Sequence, residues 1–449
     1  MDESIFKAYD IRGIYPDQIN KEVVYKIAQS YAKLVNPKIV ALGRDVRLSG
    51  PELFEAAKQG LLDHGVDVVD IGVISTDMLY FAVANYGYDG GITISASHNP
   101  KEYNGMKMVR TGAVPISGDS GIQEIKNLVA DGYEFKAPEP GTVKTKDIRQ
   151  DYLNKCLSLI DVKQVKNFKI VANAMFGPAL QNVTAMELPV QIIPLNETPD
   201  GNFPKGQPDP LQEANRLETV EIIKKEQADF GVAWDADADR FFLFDEKGRF
   251  IPGYYLTAYL GNYFAKRNPG GKIIYDPRLT WAIEGYVKEA GGVPVVNKAG
   301  HSFIKERMRQ EDAVFAGETS GHYYFRDFFY CDNGLIPFLI LLEIFSAQNQ
   351  RKVSEFFDEF FATYPISGEI NTKLASQDQV ALILKMLEEK FSDAEMKKID
   401  GLSIEYPDWR ANIRGSNTEP LIRLNVEARD DLTLQAKTTE LLALIQKIS

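Results

Sequence analysis

Short apolar runs, separated by segments of helical spacing, recur along most of this chain and constrain its fold more than any other feature. PKIVALG (37–43), VDVVDIGV (66–73), GGITIS (90–95), FKIVANA (168–174), ADFGVAWD (228–235), GKIIYD (271–276) and GVPVVN (292–297) each have the length and β-branched content of a buried strand. Between them, PELFEAAKQGLLDHG and HSFIKERMRQ place apolar residues at helical intervals. Strands alternating with helices predict α/β domains with parallel or mixed sheets. The last stretch is different. VALILKMLEEKF and LTLQAKTTELLALIQKI read as amphipathic helices around IRLNVEA, where Ile422, Leu424 and Val426 alternate with Arg423, Asn425 and Glu427. That alternation predicts a small α+β domain whose sheet is half exposed. A single hydrophobic core stops growing near roughly 250–300 residues, so a chain of 449 divides into several. Turn-rich breaks suggest domains at 1–147, 148–248, 249–362 and 363–449.

WDADADRFFLF is the strongest local signal. Asp235, Asp237 and Asp239 recur at every second position, so a strand would aim them at one face and a tight loop would wrap them round one point. Converging carboxylates repel unless a cation joins them, and all-oxygen ligands without Cys or His select Mg²⁺ over Zn²⁺. An EF-hand needs Gly where Arg240 stands and helices where both flanks read as strand, so that loop is set aside. A solvated acidic loop is the plainer alternative, but a tip between GVAW and FFLF is a poor place for unpaired repulsion.

Three further motifs carry polar chemistry. In ITISASHNP a strand runs into Ser95, Ser97, His98, Asn99 and Pro100, which taken alone is an ordinary turn. A serine hydrolase is disfavoured, because G-x-S-x-G is absent around Ser95 and Ser97, and GDSG (118–121) would demand an all-β protease fold. AGETSGH (316–322) sets Glu318, Ser320 and His322 in a Gly-rich loop, an inventory suited to sugar hydroxyls or to a polar turn. RGSNTEP (414–420) combines the fork of Arg414 with Ser416, Asn417 and Thr418, a good phosphate clamp. Of the four histidines, His98, His301 and His322 are read as lying in Gly- and Ser-containing loops rather than apolar patterns, which favours chemistry over packing. Each motif ends a strand-like run in a different expected domain, so one loop per domain is expected to line a central cleft.

Composition excludes several classes. Lys and Arg number 51 against 63 Asp and Glu, a net charge of −12 that argues against nucleic acid as a partner. No window approaches the roughly 20 apolar residues of a membrane span, and MDESIFKAYD lacks the features of a signal peptide, so a cytoplasmic protein without a membrane partner is expected. Cys156 and Cys331 are isolated and support neither a zinc knuckle nor a disulfide scaffold.

With FKAYDIRG (6–13), GRDVRLSGPEL (43–53), SASHNP, NGMKMV (104–109), DADADR, AGHSFIK, GETSGH and RGSNTEP in order, the chain resembles the α-D-phosphohexomutases, in particular the bacterial phosphomannomutase/phosphoglucomutase group. The resemblance implies three related α/β domains and a terminal α+β domain. It implies that Ser97 is carried as phosphoserine, that Asp235, Asp237 and Asp239 hold Mg²⁺ together with a phosphoserine oxygen, and that Glu318 and Ser320 hold sugar hydroxyls. Arg414, Ser416, Asn417 and Thr418 would hold the phosphate that is not reacting. Tyr9, Arg12, Lys107, Arg240 and His301 match positions around the substrate or the phosphoserine, and Arg278 stands at a substrate-contacting position where some relatives carry Lys. The family usually has Gly between the aspartates, where Ala236 and Ala238 stand here.

The reaction expected from this likeness is interconversion of hexose 1-phosphate and hexose 6-phosphate, mannose or glucose, through phospho-Ser97 and a hexose 1,6-bisphosphate that also serves as activator. Lys107, His98 and His322 are the candidates for proton transfer. The phosphosugar is the expected partner, with a monomer or weak homo-oligomer as the assembly. A phosphoglucosamine mutase is the nearest alternative, although such relatives usually carry Gln where Thr319 stands. A non-catalytic sugar-phosphate-binding relative is the other, although every expected catalytic position is filled.

Overall fold

A computed structural model describes residues 2–348, 351–416 and 420–448. The chain divides into two compact units, one formed by Met1–Phe250 with Ser320–Val353, the other by Ile251–Thr319 with Ser354–Ser449.

The first unit contains two sheets. In the first, the strands run in the order Ile11–Ile14, Tyr103–Arg110, Gly90–Ile94, Ile39–Arg44, Asp67–Val73, Val143–Thr145. Gly90–Ile94, Ile39–Arg44, Asp67–Val73 and Val143–Thr145 are parallel, while Tyr103–Arg110 is antiparallel to both of its neighbours in that order. The helices Lys21–Val35 and Gly50–Asp63 pack Val24, Ile27, Leu53 and Leu61 against Val40, Leu42, Ile92 and Met106 to form one core. Gly90–Ile94 is buried at every position, which is why it reads as an unbroken apolar run. In the second sheet, Phe241–Asp245, Phe230–Trp234, Lys169–Asn173 and Gln191–Leu195 lie side by side, with only the first pair antiparallel.

The second unit begins with the parallel strands Val293–Val296, Lys272–Tyr275 and Phe315–Gly317, accompanied by the helices Gly253–Arg267, Trp281–Glu289 and His301–Glu311. A fully antiparallel sheet follows, in the order Ile370–Lys373, Leu421–Ala428, Trp409–Gly415, Leu402–Glu405, Glu395–Lys397, with the helices Asp378–Lys390 and Asp431–Gln446. The α/β character of the first three parts and the α+β character of the last agree with the sequence reading.

The expectation of a half-exposed last sheet is corrected. Ile422, Leu424 and Val426 face the helices, but Asn425 and Glu427 on the other face are also fully buried. The cover comes from the 277–282 segment. Glu427 accepts hydrogen bonds from the Thr280 N–H at 2.7 Å and the Tyr254 hydroxyl at 2.5 Å, and Arg410 donates to the Pro277 and Arg278 carbonyls at 2.9 and 3.0 Å. Glu427 tolerates such burial because its charge meets Arg410 and backbone N–H groups, whereas the Asn425 amide has no hydrogen-bond partner among the described residues.

Among the described residues no helix is long and apolar enough to cross a membrane.

Candidate active site

The DADADR segment is a loop rather than part of a strand. Phe230–Trp234 and Phe241–Asp245 form an antiparallel pair that ends at Trp234 opposite Phe241, and residues 235–240 turn between them. Both strands are buried, so the loop delivers its carboxylates into the protein rather than to solvent. One oxygen from each of Asp235, Asp237 and Asp239 lies within 4.8 Å of the others. Ala238 takes a left-handed conformation, φ 55°, at one of the two positions between the aspartates where the family resemblance implies Gly.

The first sheet brings Ser97 to this loop. Gly90–Ile94 ends, the chain turns through 95–102, and Ser97 stands in the left-handed region at φ 48° with its N–H bonded to the Ser95 hydroxyl at 3.0 Å. Its Oγ donates to Asp235 Oδ2 at 2.9 Å and lies 3.1 Å from His98 Nδ1. Ser95 is not confined to the turn, since its hydroxyl also donates to Asp237 Oδ2 at 3.2 Å. Lys107, placed opposite Thr93 by the sheet register, donates from Nζ to Asp237 Oδ2 at 2.7 Å and Asp239 Oδ2 at 2.6 Å. Arg240 Nε donates to Asp235 Oδ2 at 2.8 Å, and Asp209 stands 3.5 Å from its Nη1. His322 Nε2 lies 3.5 Å from Asp239 Oδ1, and its Nδ1 is 3.1 Å from the Ser320 hydroxyl. Arg12 is bound by Asp10 and donates to Asn99 Oδ1 at 2.7 Å. Half-buried Tyr9 precedes Asp10 in the same bend.

The electrostatics follow from burying so many charges together. Burial raises the Asp235 carboxyl to about 7 against the pull of Arg240, and the adjacent Asp239 and Asp237 add to the rise. Burial also works against the Asp239 charge, but Lys107 and His322 hold that carboxyl well below its ordinary value. Burial, with Arg240 and Arg12 nearby, depresses His98 well below the usual imidazole range. The three carboxylates have partners in Lys107 and Arg240, yet buried Asp237 Oδ1 accepts no hydrogen bond from the described residues. A buried carboxylate oxygen without a donor, beside two further carboxylates, is the donor set a hard divalent cation takes. Thr76, whose hydroxyl donates to Asp237 Oδ2 at 2.5 Å, and Asp209 were not visible as site residues in the sequence. Each lies in a stretch whose composition is that of a common turn or helix start.

The remaining predicted residues gather within the second unit. Arg278 donates to Asp276 at 2.8 Å, lies 3.7 Å from Glu318 and 3.8 Å from Glu369. Glu318 accepts the Gly300 N–H at 2.8 Å. The next residue, His301, begins a helix rather than lying in a loop. Arg414 stands 3.5 Å from both Glu369 and Asp400, and Arg423, directly across the strand pair from it, donates to Glu369 at 3.1 Å. Like charges facing each other across a ladder are destabilising without an anion between them, and Glu369 supplies one. Ser416 is buried beside this cluster in sequence, with its N–H on the Leu421 carbonyl at 2.9 Å. Asn417 and Thr418 lie outside the described residues. Arg423 escaped the sequence reading because it sits in the strand Leu421–Ala428, whose alternation looked structural, and Glu369 because it stands just before the strand Ile370–Lys373 in a stretch without a motif.

Four family models match consecutive stretches of the chain. They describe the phosphoglucomutase/phosphomannomutase alpha/beta/alpha domain I over residues 3–135, domain II over 150–248, domain III over 252–364, and the C-terminal domain over 369–442. A phosphomannomutase of Salmonella typhimurium is 45% identical over 98% of this chain and 99% of its own length. A protein of Xanthomonas campestris named for phosphohexose mutases is 42% identical over 98% and 99%. A crystal structure of a phosphoglucomutase/phosphomannomutase family protein from Burkholderia thailandensis is similar with a TM-score of 0.88 and 32% identity, covering 100% of this chain and 98% of that one.

Proposed function

The chain belongs to the phosphoglucomutase/phosphomannomutase family, and on that premise we propose that it interconverts hexose 1-phosphate and hexose 6-phosphate, with mannose or glucose as the sugar, by way of phospho-Ser97 and a hexose 1,6-bisphosphate. The observation that carries this reading is the meeting of Ser97 Oγ with Asp235 beside a carboxylate cluster that also includes Asp237 and Asp239. In the forward step the substrate hydroxyl attacks the phosphorus of phospho-Ser97, the P–O bond to Ser97 breaks, the attacking hydroxyl loses its proton to a nearby base, and the departing Ser97 oxygen takes up a proton from a nearby acid to become a hydroxyl. The bisphosphate then reorients and its other phosphoryl group returns to the Ser97 hydroxyl.

Asp235, Asp237 and Asp239 are the residues to hold Mg²⁺, together with the oxygen on Ser97. When bound, such an ion neutralises charge on a transferring phosphoryl group. Arg240, bound to Asp235, and Arg12, bound to Asn99, supply fixed positive charge to the Ser97 loop. His98 is the imidazole within reach of Ser97 Oγ, and Lys107 and His322 reach the carboxylates, so these three remain the groups for proton transfer. In the second unit Glu318 is assigned to sugar hydroxyls, and Arg414, Arg423 and Arg278 to the remote phosphate. Tyr9, His301, Ser320, Ser416, Asn417 and Thr418 are assigned by the same family pattern. Catalysis then rests on positioning and on charge arranged in advance.

Mannose and glucose are preferred to glucosamine because Thr319 spends its N–H and hydroxyl on Asp276, at 2.7 and 3.1 Å, and occupies the place where glucosamine relatives carry Gln. Steady-state assays with mannose 1-phosphate, glucose 1-phosphate and glucosamine 1-phosphate at matched concentration, each primed with its 1,6-bisphosphate and Mg²⁺, test the proposal. The expected order is mannose or glucose phosphate well above glucosamine phosphate. No turnover of any of the three would overturn the reading.

A further inference from the structure

The loop that carries Ser97 presents its carbonyls to one side chain. Arg47 lies between the strand Ile39–Arg44 and the helix Gly50–Asp63, with 1% of its surface exposed. Its Nη2 donates to the Ser97 and Asn99 carbonyls, both at 2.6 Å. Its Nη1 donates to the Pro100 and Tyr103 carbonyls at 2.7 and 3.0 Å, and Nε donates to Asp45 Oδ2 at 3.2 Å. A guanidinium has five N–H donors, and the loop with Asp45 takes all of them, which leaves none for a phosphate. The same guanidinium lies 5.0 Å from the centroid of the Phe203 ring, in the part of the chain matched by the second family domain. Backbone pairing of Arg47 with Gly201 fixes this approach, and a Cβ on Gly201 would fall 2.3 Å from the Val46 carbonyl.

We propose that Arg47 is a positioning residue for the phosphoryl carrier: it holds the 97–103 loop by its carbonyls and, through Phe203, keeps the Ser97 hydroxyl in register with Asp235. Two features make one side chain responsible. Ser97 occupies a left-handed conformation that a non-glycine residue keeps only when its surroundings impose it, and four carbonyls of the loop meet Arg47. Lysine cannot substitute, since three donors radiating from one nitrogen do not reproduce a planar fork that reaches four acceptors.

This inference rests on the mutase reading, and the test separates the two. Wild type, Arg47→Lys and Phe203→Leu are compared as full-length protein, well below the melting temperature of each, in the primed mannose 1-phosphate assay. Phosphate transfer from the bisphosphate onto Ser97 is followed in parallel by intact mass. The expected result for Arg47→Lys is a fall in kcat of about a hundredfold with KM changed by less than about threefold, and equally slow labelling of Ser97. Phe203→Leu should lower kcat by about tenfold with the same split. An inactive wild type defeats the mutase reading itself. With an active wild type, wild-type kcat and labelling rate in Arg47→Lys overturn the positioning role, and so does a rise in KM without a fall in kcat. If Arg47→Lys does not fold, Phe203→Leu decides, and wild-type kcat in that variant overturns the proposal.

Discussion

Ser97 Oγ donates a 2.9 Å hydrogen bond to Asp235 Oδ2, joining residues 138 positions apart and the ends of strands in two different sheets. A serine hydroxyl is a poor nucleophile unless a base or a fixed field is beside it, and this one has a carboxylate on one side and an imidazole on the other. Ser97→Ala removes the only hydroxyl at that point while leaving the backbone bonds to Arg47 and Ser95 intact. Turnover should fall on the order of a thousandfold or more, and incubation with a hexose 1,6-bisphosphate should leave the intact mass unchanged. Ser95→Ala, two residues away, should retain phosphate uptake. Uptake by Ser97→Ala, or its loss in Ser95→Ala alone, would assign the carrier to the wrong serine.

Lys107 stands between Asp237 and Asp239 with its ammonium buried, and it is held charged by them. Removing one member of a buried ion group leaves the other charges stranded, at a cost of about 3–5 kcal/mol. Lys107→Met should therefore lower the melting temperature of the metal-free protein. A divalent cation bound to the native carboxylates alone contributes roughly 2.7 kcal/mol at a hundredfold excess over Kd. The rise in melting temperature on adding Mg²⁺ should accordingly be larger in Lys107→Met than in wild type, and EDTA should reverse it. Equal rises in the two proteins would show that Lys107 and the cation do not share these carboxylates.

What could be read in the sequence depended on whether the signal lay in side-chain pattern or in backbone. Buried strands such as Gly90–Ile94 and Phe230–Trp234 are continuous apolar runs, and Asp235, Asp237 and Asp239 stand out because three carboxylates cannot share a point without a counter-charge. Arg47 gave no such signal. Its partners are carbonyl oxygens about 50 residues on, and a carbonyl looks the same in every residue. Ser95 and Ser97 are alike in the string SASHNP, and only the folded loop, with Ser97 in the left-handed region, separates them: one hydroxyl meets Asp235 and the other Asp237. Asn425 and Glu427 read as solvent-facing because alternation reports only that two faces differ, not that a distant segment covers the second. The antiparallel strand Tyr103–Arg110, which carries Lys107, follows a Pro-containing turn and mixes Asn, Gly, Lys and Met, so its sheet position came only from the fold.

Asp77 is buried behind the carboxylate cluster, where it accepts bonds from the Ser75 hydroxyl and from the Tyr152 hydroxyl at 2.6 Å. Burial lifts its carboxyl to about 7, helped by the charges of Asp239 and Asp332, while those two hydrogen bonds oppose the rise. Its folded value thus lies above the ordinary 3.8, so between those values the native state keeps a proton that the unfolded chain has released. The stability this proton contributes is complete below about pH 4 and is lost as pH rises through about 7, a swing of roughly 4 kcal/mol. Asp77→Asn abolishes the titration while its lost acceptor adds a pH-independent offset. Urea midpoints at pH 5 and pH 8 should therefore diverge more in wild type than in Asp77→Asn, with wild type weaker at the higher pH relative to the variant. Parallel pH profiles would mean that Asp77 is ionised throughout.

Arg410 and Glu427 form a 2.9 Å buried pair on the face of the last sheet turned toward the 277–282 segment. Glu427 binds the Thr280 N–H at the start of the helix Trp281–Glu289, and Arg410 binds the carbonyls of Pro277 and Arg278. The pair therefore fixes the backbone from which Arg278 projects toward Glu318 and Glu369. Arg410→Met strands the Glu427 charge and frees two carbonyls, and should cost about 3–5 kcal/mol in urea unfolding. Glu427→Gln keeps one oxygen for the Thr280 N–H but strands the Arg410 charge and takes an acceptor from Tyr254, and should likewise cost about 3–5 kcal/mol. Because Arg278 would then be held less firmly, Arg410→Met measured below its melting temperature should raise KM for the hexose phosphate several-fold more than it lowers kcat. The contrast with Arg47→Lys is the discriminating point. One arginine orders the loop of the reacting serine and is read out in kcat, whereas the other orders a loop assigned to binding and is read out in KM. A fall in kcat at unchanged KM for Arg410→Met would show that Arg278 acts on the transferring phosphoryl group rather than on substrate affinity.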